Sequence, residues 1–323
     1  MENIKRSRII WVDIAKGIGI ISVIIGHYAI PDLLTRIIYS FHMPIFFIIS
    51  GYFFRITSFT KLIVSRFRRL IIPYWITCLV MIILGIVKNK YYGESAMDAL
   101  IYWGKATIYG SGIDHWLGLP HIGALWFLLA IFWGSIFLWV SLRTKFPIIS
   151  ILFLFCVGYF TSKWWLPTSI QAGMVATLYM YIGHLLNKYD LIDYLINPQV
   201  LICTLSLWCI GVLHGCGYLY LVNNHFGMGY FDFVNSIIAT LAVINLSYYL
   251  SYSNRITQIL SFAGKNSLEF LCFHILELNL LPWNSFITGK YAYWWIIGTK
   301  FSYVLVFTYI LNQLKNCKLF IRI

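Results

Sequence analysis

Apolar residues run through this chain in long blocks with few polar interruptions, not in the short periodic stripes of a water-soluble domain. A helix that crosses a bilayer needs about 20 mainly apolar residues. About ten stretches meet or approach that requirement, at 9–30, 37–54, 71–88, 123–141, 147–163, 169–187, 199–221, 231–250, 267–283 and 292–314. The pattern predicts an all-α, polytopic membrane bundle over residues 1–323, one transmembrane domain with no appended soluble domain. The segment MENIKRSR before an apolar run imitates a signal peptide. That run is too long, contains Lys16 and lacks a small-residue cleavage site, so a retained first span is expected.

Charge then orients the bundle. Basic residues gather in alternate connections: Lys5, Arg6 and Arg8; Arg55, Lys61, Arg66, Arg68 and Arg69; Arg143 and Lys145; Lys188; Arg255 and Lys265; and Lys315, Lys318 and Arg322. The remaining connections hold only Arg36, Lys88, Lys90, Lys105, Lys163 and Lys290. Cytoplasmic loops carry the excess of Lys and Arg, which puts both termini in the cytoplasm. The longest external segment is then 89–122, and GSGIDHWLGLPHIGALWF begins within it. Aromatics there suit either an interfacial belt or stacking on a sugar face.

Composition changes the picture only by exclusion. The chain is 60% hydrophobic and 11% charged, against about 25% charged in a typical soluble domain. A net charge of +13 belongs to membrane flanks that meet anionic lipid, so nucleic acid is not an expected partner. The seven cysteines form no CxxC pair and mostly sit in apolar runs, which reads as packing. The histidines lack the spacing of a metal site, so no metal is expected.

The candidate chemistry lies at the charged positions inside apolar runs. Lys16 and His27 fall in the first span, eleven residues apart. At about 100° per residue, that step leaves them roughly 20° apart on one helix face and about 16 Å apart along the axis. Lys near the middle of a span costs about 2.5–3.5 kcal/mol, so such residues usually face a bundle interior or a wet path. The alternative for Lys16 is snorkelling to the interface beside Asp13, and for His27 an interfacial ring bonded to a carbonyl. Ala15, Gly19, Ser22 and Gly26 form an adjacent small face that admits a close neighbour. His42 is expected near the outer end of the second span. Arg66, Arg68 and Arg69 suit phosphate oxygens or anionic headgroups equally. In the ninth span Asn266, Glu269 and Glu277 fall within about 80° of one another on a helical wheel. His274 lies beside Glu277, and Lys300 has a compatible depth for an ion pair with it.

The stretch VDIAKGIGIISVIIGH resembles the first-span motif of the acyltransferase-3 family, a basic residue, ten intervening residues and then histidine. Members often carry Arg where this chain has Lys16. FHMPIFFIISGYFF, SRFRRLIIPYW, ALWFLLAIFW (with Trp126) and GKNSLEFLCFHI resemble later patterns in the same order. The form FHMPIFFIISG is most similar to the sugar O-acetylase branch. The resemblance implies an O-acetyltransferase that moves acetyl from cytoplasmic acetyl-CoA, a substrate and not a bound cofactor. The acceptor would be a hydroxyl of a surface glycan or its lipid-linked precursor.

It further implies residence in the cytoplasmic membrane of a bacterium. Membrane lipids are expected partners, and a homo-oligomer is compatible. Lys16, with Arg66, Arg68 and Arg69, would meet the donor. His27 would be base or acyl carrier, and Asp13, His42, Trp126, His274 and Glu277 would bind the acceptor or support the site. The same intramembrane charges would suit a glycan or lipid transporter, and a purely structural partner would leave Lys16 and His27 unexplained.

Overall fold

A computed structural model describes residues 10–28, 30–114, 118–162, 164, 166–281 and 292–316. The basic residues Lys5, Arg6, Arg8, Lys163, Lys290, Lys318 and Arg322, and the ends of the expected first and ninth spans, lie outside the described residues. Within them the chain is almost wholly helical, with one two-stranded ribbon, β1 Leu219–Tyr220 and β2 His225–Phe226. Five helices are long and apolar enough to cross a membrane: Asp32–Tyr52, Phe59–Tyr91, Gly123–Ser141, Tyr230–Leu250 and Trp295–Leu314. Pro147–Phe160 and Pro198–Leu213 are apolar but shorter. The helices fall into two compact units, residues 1–52, 183–219 and 226–267, and residues 53–182, 220–225 and 268–323.

In the first unit α1 (Ile10–Gly26) packs against α2 (Asp32–Tyr39), α3 (Pro44–Tyr52), α12 (Tyr230–Leu250) and α13 (Asn254–Lys265). α2 and α3 follow one path broken at residues 40–43. Pro44 has no N–H to offer the Ser40 carbonyl, so the ladder stops there and His42 lies on the resulting turn. The small residues of α1 serve close packing on two sides. A Cβ at Gly19 would lie 2.9 Å from the Phe46 ring, and one at Gly17 would lie 2.1 Å from the Leu260 carbonyl oxygen. Gly264 answers from α13, where a Cβ would lie 1.7 Å from the Asp13 carbonyl oxygen. Backbones that approach this closely exclude every larger residue.

The first unit is tied together by polar side chains at helix ends. α11 (Pro198–Leu213) ends with carbonyls that no helical N–H can reach. Arg36 donates to one of them, Val212, at 2.6 Å and pairs with Asp32 at 3.0 Å. Asp232, 1% exposed, accepts from the N–H groups of Gly217 and Met228, each at 2.6 Å, and so closes the 217–229 segment onto the start of α12.

In the second unit α4 (Phe59–Arg66) runs through a π turn (Phe67–Ile71) into α5 (Ile72–Tyr91). Pro73 offers no N–H to the Arg69 carbonyl, and the Ile72 N–H reaches back to Phe67 instead. The widened turn lets the helix continue past the proline. α6 (Ala96–Tyr109) then folds back along α5. It is capped at its start by Ser95, whose hydroxyl accepts from the Asp98 N–H at 3.3 Å. α7 (Trp126–Ser141) packs on α8 (Pro147–Phe160). α9 (Ile170–Lys188) meets α7 at Gly173, where a Cβ would lie 2.5 Å from Trp133. α14 (Ser267–Leu280) and α15 (Ala292–Asn316) complete the unit.

Several expected boundaries move. The second helix begins at Asp32, not near 37, and the seventh ends at Leu213, not near 221. α6 and α13 stand where the sequence pattern predicts connections. Asn266 does not share a wheel with Glu269 and Glu277. It caps α13 with φ −107° and ψ 24°, and its amide donates to the Phe262 carbonyl at 2.8 Å. The Asn266 N–H still reaches the same Phe262 carbonyl at 3.2 Å, so that carbonyl accepts twice at the end of α13.

Candidate functional site

Four of the sequence-derived candidates sit in the first unit. α1 is unbroken from Ile10 to Gly26, with Asp13 buried at 5% exposure and Lys16 half-buried. Asp13 and Gly17 abut α13, so Lys16 flanks that seam from the same turn of α1. His27 is exposed one residue past the helix, where its N–H closes a tighter turn to the Ile24 carbonyl at 3.3 Å. α1 thus presents Lys16 in its N-terminal half and an imidazole just past its C-terminal end, separated by about 16 Å along the axis.

The ring of His27 has a defined tautomer. Its Nδ1 lies 2.7 Å from the Val23 carbonyl oxygen. A carbonyl only accepts, so Nδ1 carries the hydrogen and the neutral ring holds its lone pair on Nε2. His42 repeats the arrangement, with Nδ1 at 2.9 Å from the Ile38 carbonyl. The two imidazoles are close enough to interact electrostatically. Tyr39 links them: its hydroxyl donates to the Gly26 carbonyl at 3.0 Å, and its ring meets the His42 ring edge-on at 4.8 Å. Sequence reasoning alone misses Tyr39. Its position three residues before His42, on a helix next to the end of α1, is the signal that points to it.

The other candidates sit in the second unit. Arg66 is half-buried on the last turn of α4, and Arg68 and Arg69 are exposed on the π turn. A π turn inside a helix is a recurrent feature of functional sites, and here it carries two of the three guanidinium groups. Trp126 is 5% exposed at the start of α7, its ring packed so closely over Gly112 that a Cβ there would lie 2.2 Å away. Its ring is therefore packed against this loop and almost wholly covered.

His274 and Glu277 are both fully buried on α14. The His274 Nδ1–H donates to Glu277 Oε1 at 2.9 Å, and Lys300 of α15 brings Nζ to 3.9 Å from Oε2. Both cation-forming groups converge on one carboxylate, as the helix spacing predicts. A charge in such a place persists only when paired, so the trio holds α14 and α15 in a fixed relation. In the segment between α6 and α7, Asp114 Oδ1 accepts from both the N–H of His121 at 3.1 Å and its Nδ1–H at 2.7 Å. That bond holds the Asp114 carboxyl below its ordinary pKa. Among the described residues no cluster of three or more His, Cys, Asp or Glu is placed to hold a metal ion.

These features define an all-helical membrane protein that carries titratable groups on and between apolar helices. The chain belongs to the acyltransferase-3 family: the family model, described as an acyltransferase domain, matches residues 9–313. It is an integral membrane acyltransferase. No curated protein and no solved structure matches the chain.

Proposed function

We propose that this acyltransferase moves acetyl from cytoplasmic acetyl-CoA to a hydroxyl of an extracytoplasmic glycan or its lipid-linked precursor, in the manner of the sugar O-acetylase branch. The observation that carries the reading is α1, one unbroken helix with Lys16 in its N-terminal half and the Nδ1-anchored His27 just past its C-terminal end. The donor thioester is made on one side of the membrane and the acceptor waits on the other, so a transferase needs functional groups at both levels. The first-span likeness to the family motif supports the same two residues.

The reaction forms one ester and breaks one thioester. The Nε2 lone pair of His27 takes the proton of the acceptor hydroxyl as its oxygen attacks the acetyl carbonyl. The C–S bond breaks, and the thiolate of coenzyme A leaves and is protonated. Nδ1, held on the Val23 carbonyl, keeps the ring oriented while Nε2 gains and loses that proton. His42 and Tyr39 position this end of α1. Lys16 offers a positive charge to the donor, and Arg66, Arg68 and Arg69 offer guanidinium groups to its phosphates. The site uses acetyl-CoA as a substrate. The proposed setting is a bacterial cytoplasmic membrane, with the chain acting as one catalytic unit. Mass spectrometry of surface glycans with and without the gene tests the acceptor: the account expects an acetyl ester that disappears with the gene.

The orientation has its own test. Ser58 is exposed just before Phe59–Tyr91 and Glu94 just after it. In a cysteine-free background, Glu94→Cys should react with an impermeant thiol reagent added outside intact cells, and Ser58→Cys should not. The reverse pattern would invert the bundle and move His27 away from the acceptor. Ser111, in the same 89–122 segment as Glu94, is fully buried and unsuitable for labelling.

Replacing the arginine that holds the donor phosphates should raise the KM for acetyl-CoA. Loss of a charged hydrogen bond is worth about 1.5–3 kcal/mol, or roughly ten- to a hundredfold in affinity. Unchanged donor kinetics in Arg66→Ala, Arg68→Ala and Arg69→Ala would leave these residues as lipid contacts only.

A further inference from the structure

A cleft of ≈ 710 Å³ opens in the second unit between the C-terminal end of α5, the first half of α6 and the last turn of α14. Its size lies within the range that holds small organic ligands. Trp103 and Tyr102 line it, their rings edge-to-face at 4.9 Å and 83°. Two rings at right angles present two differently directed aromatic faces. Trp103 is backed by helix backbone, because a Cβ at Gly85 would lie 2.5 Å from its Cδ1. Tyr102 is 43% exposed, so part of its ring is open to a ligand in the cleft.

Acceptor groups ring these aromatics. Glu94 and Asp98 contribute carboxylates to the lining. Asn279 spends one of its two amide hydrogens on the Ile275 carbonyl at 2.9 Å, which leaves the other hydrogen and Oδ1 for a ligand. The lining therefore mixes apolar ring faces with two carboxylates, one ammonium (Lys88) and side-chain amides, and its carboxylates outnumber its ammonium. An acyl chain has no donors for those acceptors. A nucleotide or polyanionic glycan would bring its charge against Glu94 and Asp98. A neutral saccharide fits both parts, since its hydroxyls donate to carboxylates and its C–H faces cover aromatic rings.

We infer that this cleft binds a neutral saccharide, the acceptor glycan or the sugar headgroup of its lipid-linked form. Naming the saccharide as acceptor rests on the acyl-transfer reading, whereas the binding itself does not. The cleft recognises sugar and not lipid, and it selects against uronate or phosphate-bearing chains.

The test uses the full chain, purified into lipid nanodiscs, with three probes: a neutral hexose tetrasaccharide, a uronic acid tetrasaccharide, and the neutral one on a lipid anchor. Saturation-transfer NMR should detect the neutral probe, free and anchored, and detect the acidic one weakly or not at all. Trp103→Ala should weaken neutral binding about tenfold, the value of an aromatic contact. The rim double variant Glu94→Gln, Asp98→Asn, which leaves the ring packing in place, should weaken it as well. Acetyl-CoA binding should be unchanged in both. Absence of neutral binding, binding indifferent to both variants, or binding of the anchored probe alone would overturn the proposal. Acetyl transfer with an unaltered acceptor KM in both variants would remove the cleft and leave the acyltransferase reading standing. Saccharide binding without any acetyl transfer would do the opposite.

Discussion

His27→Ala should lose acetyl transfer while retaining acetyl-CoA binding. The side chain is exposed beyond the end of α1, and truncating it removes one hydrogen bond to the Val23 carbonyl. Folding should therefore survive. Loss of a general base alone costs roughly 10²–10⁴-fold in rate, and loss of an acyl carrier would cost more. Lys16→Ala should show the opposite profile, with weakened donor binding, because the donor loses a positive charge it must meet. Lys16→Arg should recover part of the activity, since the charge persists and family members often have Arg at this position. Recovery should be incomplete, because a planar guanidinium does not replace a compact ammonium. Binding and transfer measured on all three purified variants separate the two roles. Near-normal transfer by His27→Ala would sink the mechanism and move the acid–base chemistry to another residue.

Glu277→Ala should be the most damaging substitution to stability. Glu277 is fully buried and takes both the His274 N–H and the Lys300 ammonium. Removing the carboxylate strands a cation beside a buried imidazole, and breaking a buried pair from one side costs about 3–5 kcal/mol. Glu277→Gln, which keeps a hydrogen-bond acceptor for His274, should lose less. Thermal unfolding of the detergent-solubilised protein checks both. Equal stability of wild type and Glu277→Ala would show that the trio holds nothing together. Normal folding of Glu277→Gln with collapsed transfer would move Glu277 from a structural role to the chemistry.

Long continuous apolar runs made much of the fold legible. The expected helices at 123–141 and 231–250 agree with Gly123–Ser141 and Tyr230–Leu250 to within a residue. In both, apolar residues predominate and no Lys or Arg interrupts the run. Legibility failed where polar residues sit in helices that pack. α13 contains Arg255, Gln258 and Lys265, reads as a connection, and becomes a helix because Gly264 and Gly17 let it lie directly on α1. α6, with Asp98 and Lys105, reads as part of an external loop for the same reason.

The candidate site was legible to the extent that it is helical arithmetic. The spacing of Glu277 to His274, and the depth of Lys300, foretold a cluster that the structure contains. The tautomer of His27 depends on a carbonyl four residues back, and that becomes visible only once the helix end is known. The cleft of Trp103 and Tyr102 was the least legible. It joins residues from 85 to 280, and no spacing within one helix encodes that meeting.

The most direct measurement of the central claim uses sealed proteoliposomes in which the face carrying Ser58 opens to the medium and the face carrying Glu94 opens to the lumen. Acetyl-CoA with a labelled acetyl group is supplied to the medium and a glycan acceptor is enclosed in the lumen. The account predicts labelled ester on the enclosed glycan, dependent on His27 and accompanied by one free coenzyme A for each acetyl moved. Entry or exit of glycan with the labelled acetyl still on coenzyme A would contradict it and make this chain a transporter.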